Sequence, residues 1–98
     1  MIGPSPQSVS AAVGAQAAAE GRVVVYFRRM CLFCERLRLS LGARRSEVVW
    51  VDIWADPEAA AYVRSVNGGD ETVPTVVIGG QPHTNPSPAV VKRALATP

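Results

Sequence analysis

Val23-Val24-Val25-Tyr26-Phe27 is an unbroken apolar run of β-branched and aromatic residues, bounded by Gly21 and by Arg28-Arg29. Such a run predicts a strand buried on both faces. From Cys34 to Leu41 the pattern changes to helical spacing, with Phe33, Leu37 and Leu41 on one face and Gly42 as the stop. Val48-Val49-Trp50-Val51-Asp52-Ile53 predicts a second strand. Asp56-Pro57 opens the next helix, Asp as N-cap and Pro at the first helical position. That helix runs through Ala59, Ala60, Tyr62, Val63 and Val66 and ends at Asn67-Gly68-Gly69. Thr75-Val76-Val77-Ile78 predicts a third strand, and Gly79-Gly80 a two-residue hairpin into a short fourth strand from Gln81 to His83. Pro86-Ser87-Pro88 opens a last helix with Val90, Val91 and Leu95 inward.

Pro4 and Pro6 disfavour a helix at the start of the chain. From Ser8 to Glu20 alanine is abundant enough for a helix ended by Gly21, yet Gly14 interrupts it, so a helix and a frayed segment both fit. The order from Val23 onward is β-α-β-α-β-β-α. A strand–helix–strand crossover pairs the first two strands in parallel, and the hairpin adds an antiparallel edge. The expectation is an α/β fold with a mixed four-stranded sheet flanked by helices, formed by residues 21–98. Residues 1–20 form an N-terminal extension, whose docking on that domain stays open.

At 98 residues the chain is expected to be one domain, and 48% hydrophobic content fills one core. A net charge of +2, with its basic residues clustered no further than Arg28-Arg29 and Arg44-Arg45, gives no nucleic-acid-binding stripe. No apolar run is long enough to span a membrane. The N-terminus lacks the basic and apolar regions of a secretory signal, so a reducing, cytoplasmic compartment is expected. In that setting a Cys-x-x-Cys pair favours redox or metal chemistry over a permanent disulfide.

Both cysteines, Cys31 and Cys34, fall in "RRMCLFCERL". A structural zinc site needs four ligands, and beyond the pair the chain offers one histidine, His83. No metal site within one chain is therefore expected; a cluster shared between two chains stays an alternative. Two buried cysteines can also act merely as small hydrophobes. The pair, however, sits where a buried strand ends and a helix begins, the edge at which α/β folds place their sites. A helix N-terminus offers free N–H groups and a positive dipole end, and Arg28 and Arg29 add charge upstream; each favours a thiolate. Cys31, at the loop–helix junction, is expected to be exposed and to be the nucleophile. Cys34, one turn inside and more buried, is the candidate resolving thiol.

Strand, Cys-x-x-Cys, helix and a later Thr72-Val73-Pro74 before a strand resemble the thioredoxin superfamily, and the small size its glutaredoxin branch. "SVNGG" at residues 65–69, "TVPTV" at 72–76 and "TNPS" at 84–87 resemble the mycoredoxins, the actinobacterial glutaredoxin-like proteins. The resemblance covers roughly residues 22–96. It implies a thioredoxin fold, a cis peptide bond before Pro74, and reduction of mixed disulfides between proteins and mycothiol, the thiol that actinobacteria use in place of glutathione. By that resemblance mycothiol is a co-substrate, mycothiolated proteins are the partners, no cofactor is tightly bound, and the chain is expected to act as a monomer. Substrate contacts are expected from Arg28, Phe33, Val73, Pro74, Asn85 and Ser87. Val73 would present its backbone to a bound thiol or peptide. Asn85 or Ser87 could equally be a helix cap, and Arg28 an ordinary solvated arginine.

The chain departs from the family at its centre. Glutaredoxins usually carry Cys-Pro-Tyr-Cys, and mycoredoxins an aromatic residue before the first Cys with Gly-Tyr between the two. Here Met30 precedes the pair and Leu32-Phe33 separates it, which makes the rim more apolar. "TNPSP" replaces the residues with which glutaredoxins hold the γ-glutamyl end of glutathione, so glutathione is the less expected thiol. Two other functions compete: a thioredoxin-like dithiol donor, for example to ribonucleotide reductase, and an iron–sulfur carrier using Cys31 from two subunits. Trp50, Trp54 and His83 are expected to serve packing or surface rather than chemistry.

Overall fold

The computed structural model describes residues 8–96. Within them, α1 (Ala11–Ala19) is followed by β1 (Val24–Phe27), α2 (Leu32–Leu41), a 3-10 turn (Gly42–Glu47), β2 (Val49–Asp52), α3 (Pro57–Val66), β3 (Thr75–Ile78), β4 (Gln81–Thr84) and α4 (Pro88–Ala96). The four strands form one mixed sheet in the order β2-β1-β3-β4. β1 runs parallel to β2, with Val24 opposite Val49 and Phe27 opposite Asp52. β1 is antiparallel to β3, and β3 to β4. This is the expected mixed sheet with its antiparallel edge. All of β1 and β2 is buried, as continuous apolar runs require, whereas β4 exposes all four side chains.

Gly79 and Gly80 both take positive φ, which lets two residues close the β3–β4 hairpin. Asp56 caps α3 by accepting the Glu58 N–H at 3.0 Å, and Pro57 opens the helix as predicted. The other oxygen of Asp56 accepts the Ala11 N–H at 2.7 Å and ties the start of α1 to α3. These N–H donors, Ala11 first and Glu58 second, hold the Asp56 carboxyl below its ordinary value. Their contribution is present above the usual carboxylate range and is lost as acid protonates the group.

Three local expectations are corrected. α2 begins at Leu32, two residues before the predicted start, because Cys31 itself caps it. Its buried seam is Cys34, Leu37 and Leu41, and Phe33 points outward. In α4, Val91 is fully buried and Leu95 partly so, but Val90 is exposed, because the inward stripe is narrower than two adjacent valines. The 3-10 turn carried no predictive apolar pattern; it is held by side chains, with Trp50 Nε1 donating to the Arg45 carbonyl at 2.9 Å.

Gly14 does not fray α1. Its buried position brings the helix against Val24, Tyr26 and Val51, and an added Cβ would lie 2.7 Å from Val51 Cγ2. Val51 is stiff and fully buried, so it cannot easily yield. Gly14→Ala is expected to destabilise the fold by about 1–2 kcal/mol, since overpacking of ~1–3 kcal/mol exceeds the ~1 kcal/mol gained in helix propensity. A lowered urea midpoint at unchanged m-value checks this. The expectations on Pro4 and Pro6 lie outside the described residues.

Candidate active site

β1 delivers the chain to the Arg28–Met30 loop, which turns through a left-handed Met30 at φ 59°. That conformation is uncommon for a residue with a side chain, and Arg28 braces it. The Arg28 guanidinium donates to the carbonyls of Arg29 at 3.3 Å and Met30 at 3.2 Å, and lies 5.4 Å from the centroid of the Trp54 ring. Arg29 approaches the Asp52 carboxylate at 4.0 Å, and Asp52 Oδ1 accepts the Trp54 N–H at 2.9 Å. The loops after β1 and β2 are thus tied together. Arg28 is neither free nor merely solvated; it stiffens the loop that presents the first cysteine.

Cys31 stands at the N-cap of α2 in extended conformation, its Sγ accepting the Cys34 N–H at 3.3 Å. The thiol also donates to the Val73 carbonyl at 3.7 Å. The sulfur was expected to be exposed, but the residue is only 5% exposed, close to the 3% of Cys34. The physical reason is the cap itself: pointing Sγ at the helix N–H groups turns it inward, beneath the Val73 turn. Exposure therefore does not distinguish the two thiols. Their surroundings do.

Cys31 Sγ lies against the free N–H groups at the start of α2 and accepts the one from Cys34. Burial pushes the Cys34 thiol far above the ordinary cysteine range, and its hydrogen bond with Cys31 adds to this. The Arg28 backbone and charge pull back only in part. Because its ionisation is raised, Cys34 stays protonated through neutral and mildly alkaline pH. Iodoacetamide at pH 8 is accordingly expected to alkylate one cysteine per chain, at Cys31, which peptide mass spectrometry reads directly. Equal modification of both thiols would contradict the asymmetry.

The Val73–Pro74 peptide bond is cis, as the resemblance implied. A polar cluster holds this turn. Thr75, fully buried, donates through Oγ1 to the Thr72 carbonyl at 2.8 Å. Asn67 Nδ2 donates to Thr75 Oγ1 at 3.0 Å and to the Val63 carbonyl at 3.0 Å, while Asn67 Oδ1 accepts from Thr84 Oγ1. The Pro74 carbonyl accepts the Asn85 N–H at 2.7 Å. Asn67 thereby joins the end of α3, the start of β3 and the end of β4 behind the turn that faces Cys31.

Phe33, Arg36 and Leu37 of α2 face the Asn85–Pro88 segment across a groove of about 200 Å³. The structure brings Cys31, Cys34, Val73 and Pro74 together, with Phe33, Asn85 and Ser87 along this adjoining groove. Ser87 also caps α4, accepting the Val90 N–H at 3.4 Å. His83 is exposed on β4, and Trp50 is buried edge-on to Phe27. Sequence reading missed Arg36, Asn67 and Asp52. Asn67 read as a helix stop, because its partners Thr75 and Thr84 lie 8 and 17 residues away. Among the described residues, no group of three or more His, Cys, Asp and Glu side chains comes together, and no helix is long and apolar enough to cross a membrane.

A cysteine-capped helix beside a cis-proline turn, on a β2-β1-β3-β4 sheet, defines a glutaredoxin-like thioredoxin fold. The glutaredoxin family model matches residues 23–83, and the chain belongs to that family of thiol–disulfide oxidoreductases. It is 43% identical over 74 residues to a Mycobacterium tuberculosis (strain CDC 1551 / Oshkosh) protein that carries the glutaredoxin name, covering 74% of this chain and 88% of that protein. It is 37% identical over 70 residues to mycoredoxin 1 of Corynebacterium glutamicum (strain ATCC 13032), covering 70% of this chain and 86% of that one. The crystal structure of the holo form of glutaredoxin C1 from Populus tremula x tremuloides superposes with a TM-score of 0.57 at 21% identity, over 88% of this chain and 86% of that one, a likeness of fold.

Proposed function

We propose that this oxidoreductase reduces mixed disulfides between proteins and mycothiol through Cys31. The observation that carries the reading is the placement of Cys31 Sγ on the α2 N-terminus, against the Val73 turn and beside the Phe33–Ser87 groove. The relationship to a mycoredoxin supports the choice of thiol.

The Cys31 thiolate attacks the mycothiol sulfur of the mixed disulfide. A new S–S bond forms between Cys31 and mycothiol, the old one breaks, and the client cysteine departs as a thiolate that takes up a proton. A second mycothiol thiolate then attacks the mycothiol sulfur bound to Cys31, giving mycothiol disulfide and restoring the Cys31 thiolate. The N–H of Cys34 stabilises sulfur charge at the start of the first step, when Cys31 attacks, and at the end of the second, when Cys31 leaves. Groove residues Phe33, Asn85 and Ser87 receive the mycothiol moiety, and the Val73 backbone aligns the disulfide. Cys34, held as a thiol by burial, is dispensable in this monothiol cycle.

A coupled assay comparing mycothiol and glutathione mixed disulfides tests the proposal. Faster turnover with mycothiol, retained in Cys34→Ser, is the expected result. Equal or faster turnover with glutathione overturns the thiol assignment, and complete loss in Cys34→Ser points to a dithiol cycle.

A further inference from the structure

Large apolar side chains stand exposed on either side of the recessed thiol along the chain. Met30 is 83% exposed, Leu32 80% and Phe33 51%, directly flanking a Cys31 that is itself 5% exposed. Trp54, half exposed, joins them through Arg28, which lies over its ring and binds the Met30 carbonyl. Phe33 lines the groove toward Asn85 and Ser87, but Met30 and Leu32 do not. Two exposed apolar residues therefore adjoin the attacking cysteine without lining the groove assigned to the small thiol.

The reaction dictates what meets them. A disulfide has two substituents, and any disulfide that reaches the recessed Cys31 Sγ brings both close to the residues that adjoin it. If the small thiol occupies the groove, the protein half lies across Met30 and Leu32. Because the sulfur is recessed, the client cysteine must enter on a segment that can leave its own surface. Resting on Met30 and Leu32, such a segment gains from covering their apolar surface only if it offers apolar groups in return; Arg28 and Arg29 are already engaged by the loop carbonyls and by Asp52, so an acidic neighbour gives up hydration for little return. The Arg28 brace fixes the backbone of the Met30 turn beforehand, so the loop itself needs no ordering on binding.

We propose that Met30 and Leu32 select the protein half of the substrate: a flexible segment whose mixed-disulfide cysteine is flanked by apolar residues. This rests on the mixed-disulfide reading above and adds the client chemistry to it.

The test uses two synthetic peptides that differ only in the residues on either side of one cysteine, Leu in one and Glu in the other. Each is presented as its mixed disulfide with mycothiol, alongside the mixed disulfide of mycothiol and 2-mercaptoethanol. The intact chain is expected to favour the Leu-flanked peptide by about tenfold in kcat/KM, as burial of about two methylene groups supplies. In Met30→Ser/Leu32→Ser the ratio is expected to fall close to one. Leu32→Lys is expected to move the preference toward the Glu-flanked peptide, a gain that misfolding cannot mimic. Equal turnover of the two peptides by the intact chain, or a ratio unmoved in the variants, overturns the inference while the function stands. Failure on all three disulfides by the intact chain removes the mixed-disulfide reading, and the inference with it.

Discussion

Cys31→Ser should abolish turnover of mixed disulfides, by at least ~10³-fold, without loss of stability. The oxygen of serine can take the place of Sγ as acceptor of the Cys34 N–H, and serine is among the preferred N-cap residues. The helix is thus kept, and the thermal midpoint should hold or rise slightly. What disappears is a nucleophile able to form a disulfide at neutral pH. Cys34 cannot substitute, because its burial, the larger cause of its raised ionisation, still holds it as a thiol. Turnover measured together with a melting curve separates the two effects. Residual activity above a few per cent would remove Cys31 from its role.

The second large effect concerns a residue that touches neither sulfur. Asn67→Ala deletes the donors to Thr75 Oγ1 and the Val63 carbonyl and the acceptor for Thr84. At about 1 kcal/mol for each of the two partly buried hydrogen bonds and less for the exposed one from Thr84, the expected loss is about 2 kcal/mol, read from the denaturant midpoint. Thr75, no longer held by Asn67, would also support the Thr72 carbonyl less firmly. Since the Val73 carbonyl in that turn is the partner of the Cys31 thiol, KM for the mixed disulfide should rise. The rate of Cys31 alkylation, which depends on the α2 N-terminus, should change little. A fall in alkylation rate as large as the rise in KM would mean that Asn67 supports the fold alone.

Much of this arrangement was legible in the chain. The apolar runs at Val23–Phe27 and Val48–Ile53 marked β1 and β2 because both strands are buried on both faces, and Asp56-Pro57 marked α3 because its cap chemistry is local. Gly79-Gly80 marked the hairpin for the same local reason. Features set by distant partners were not legible. The inward turn of Cys31 depends on a cap it forms itself and on Val73, 42 residues away. Gly14 looked like a helix defect because nothing in its neighbourhood reveals Val51 pressing on it. Phe33 followed the helical period, yet the groove toward Asn85 and Ser87 holds it at the surface.

The first described residues have a consequence of another kind. Ser8 bridges Trp50 in parallel fashion, and the Val9 N–H donates to the Trp50 carbonyl at 2.8 Å, so a short stretch of chain lies along the outer side of β2. At the opposite margin, β4 carries Pro82, which has no N–H to offer a neighbour, and the segment after it turns away at Asn85 with φ 45°. Open strand margins are where one molecule templates the next into aggregates, and covering or interrupting them is how sheets stay separate. A protein that must stay dispersed while meeting partly oxidised clients benefits from that guard. Trimming the chain back to Ser10 would expose one margin of a very apolar strand, and a tendency to associate at high concentration is the cost to expect.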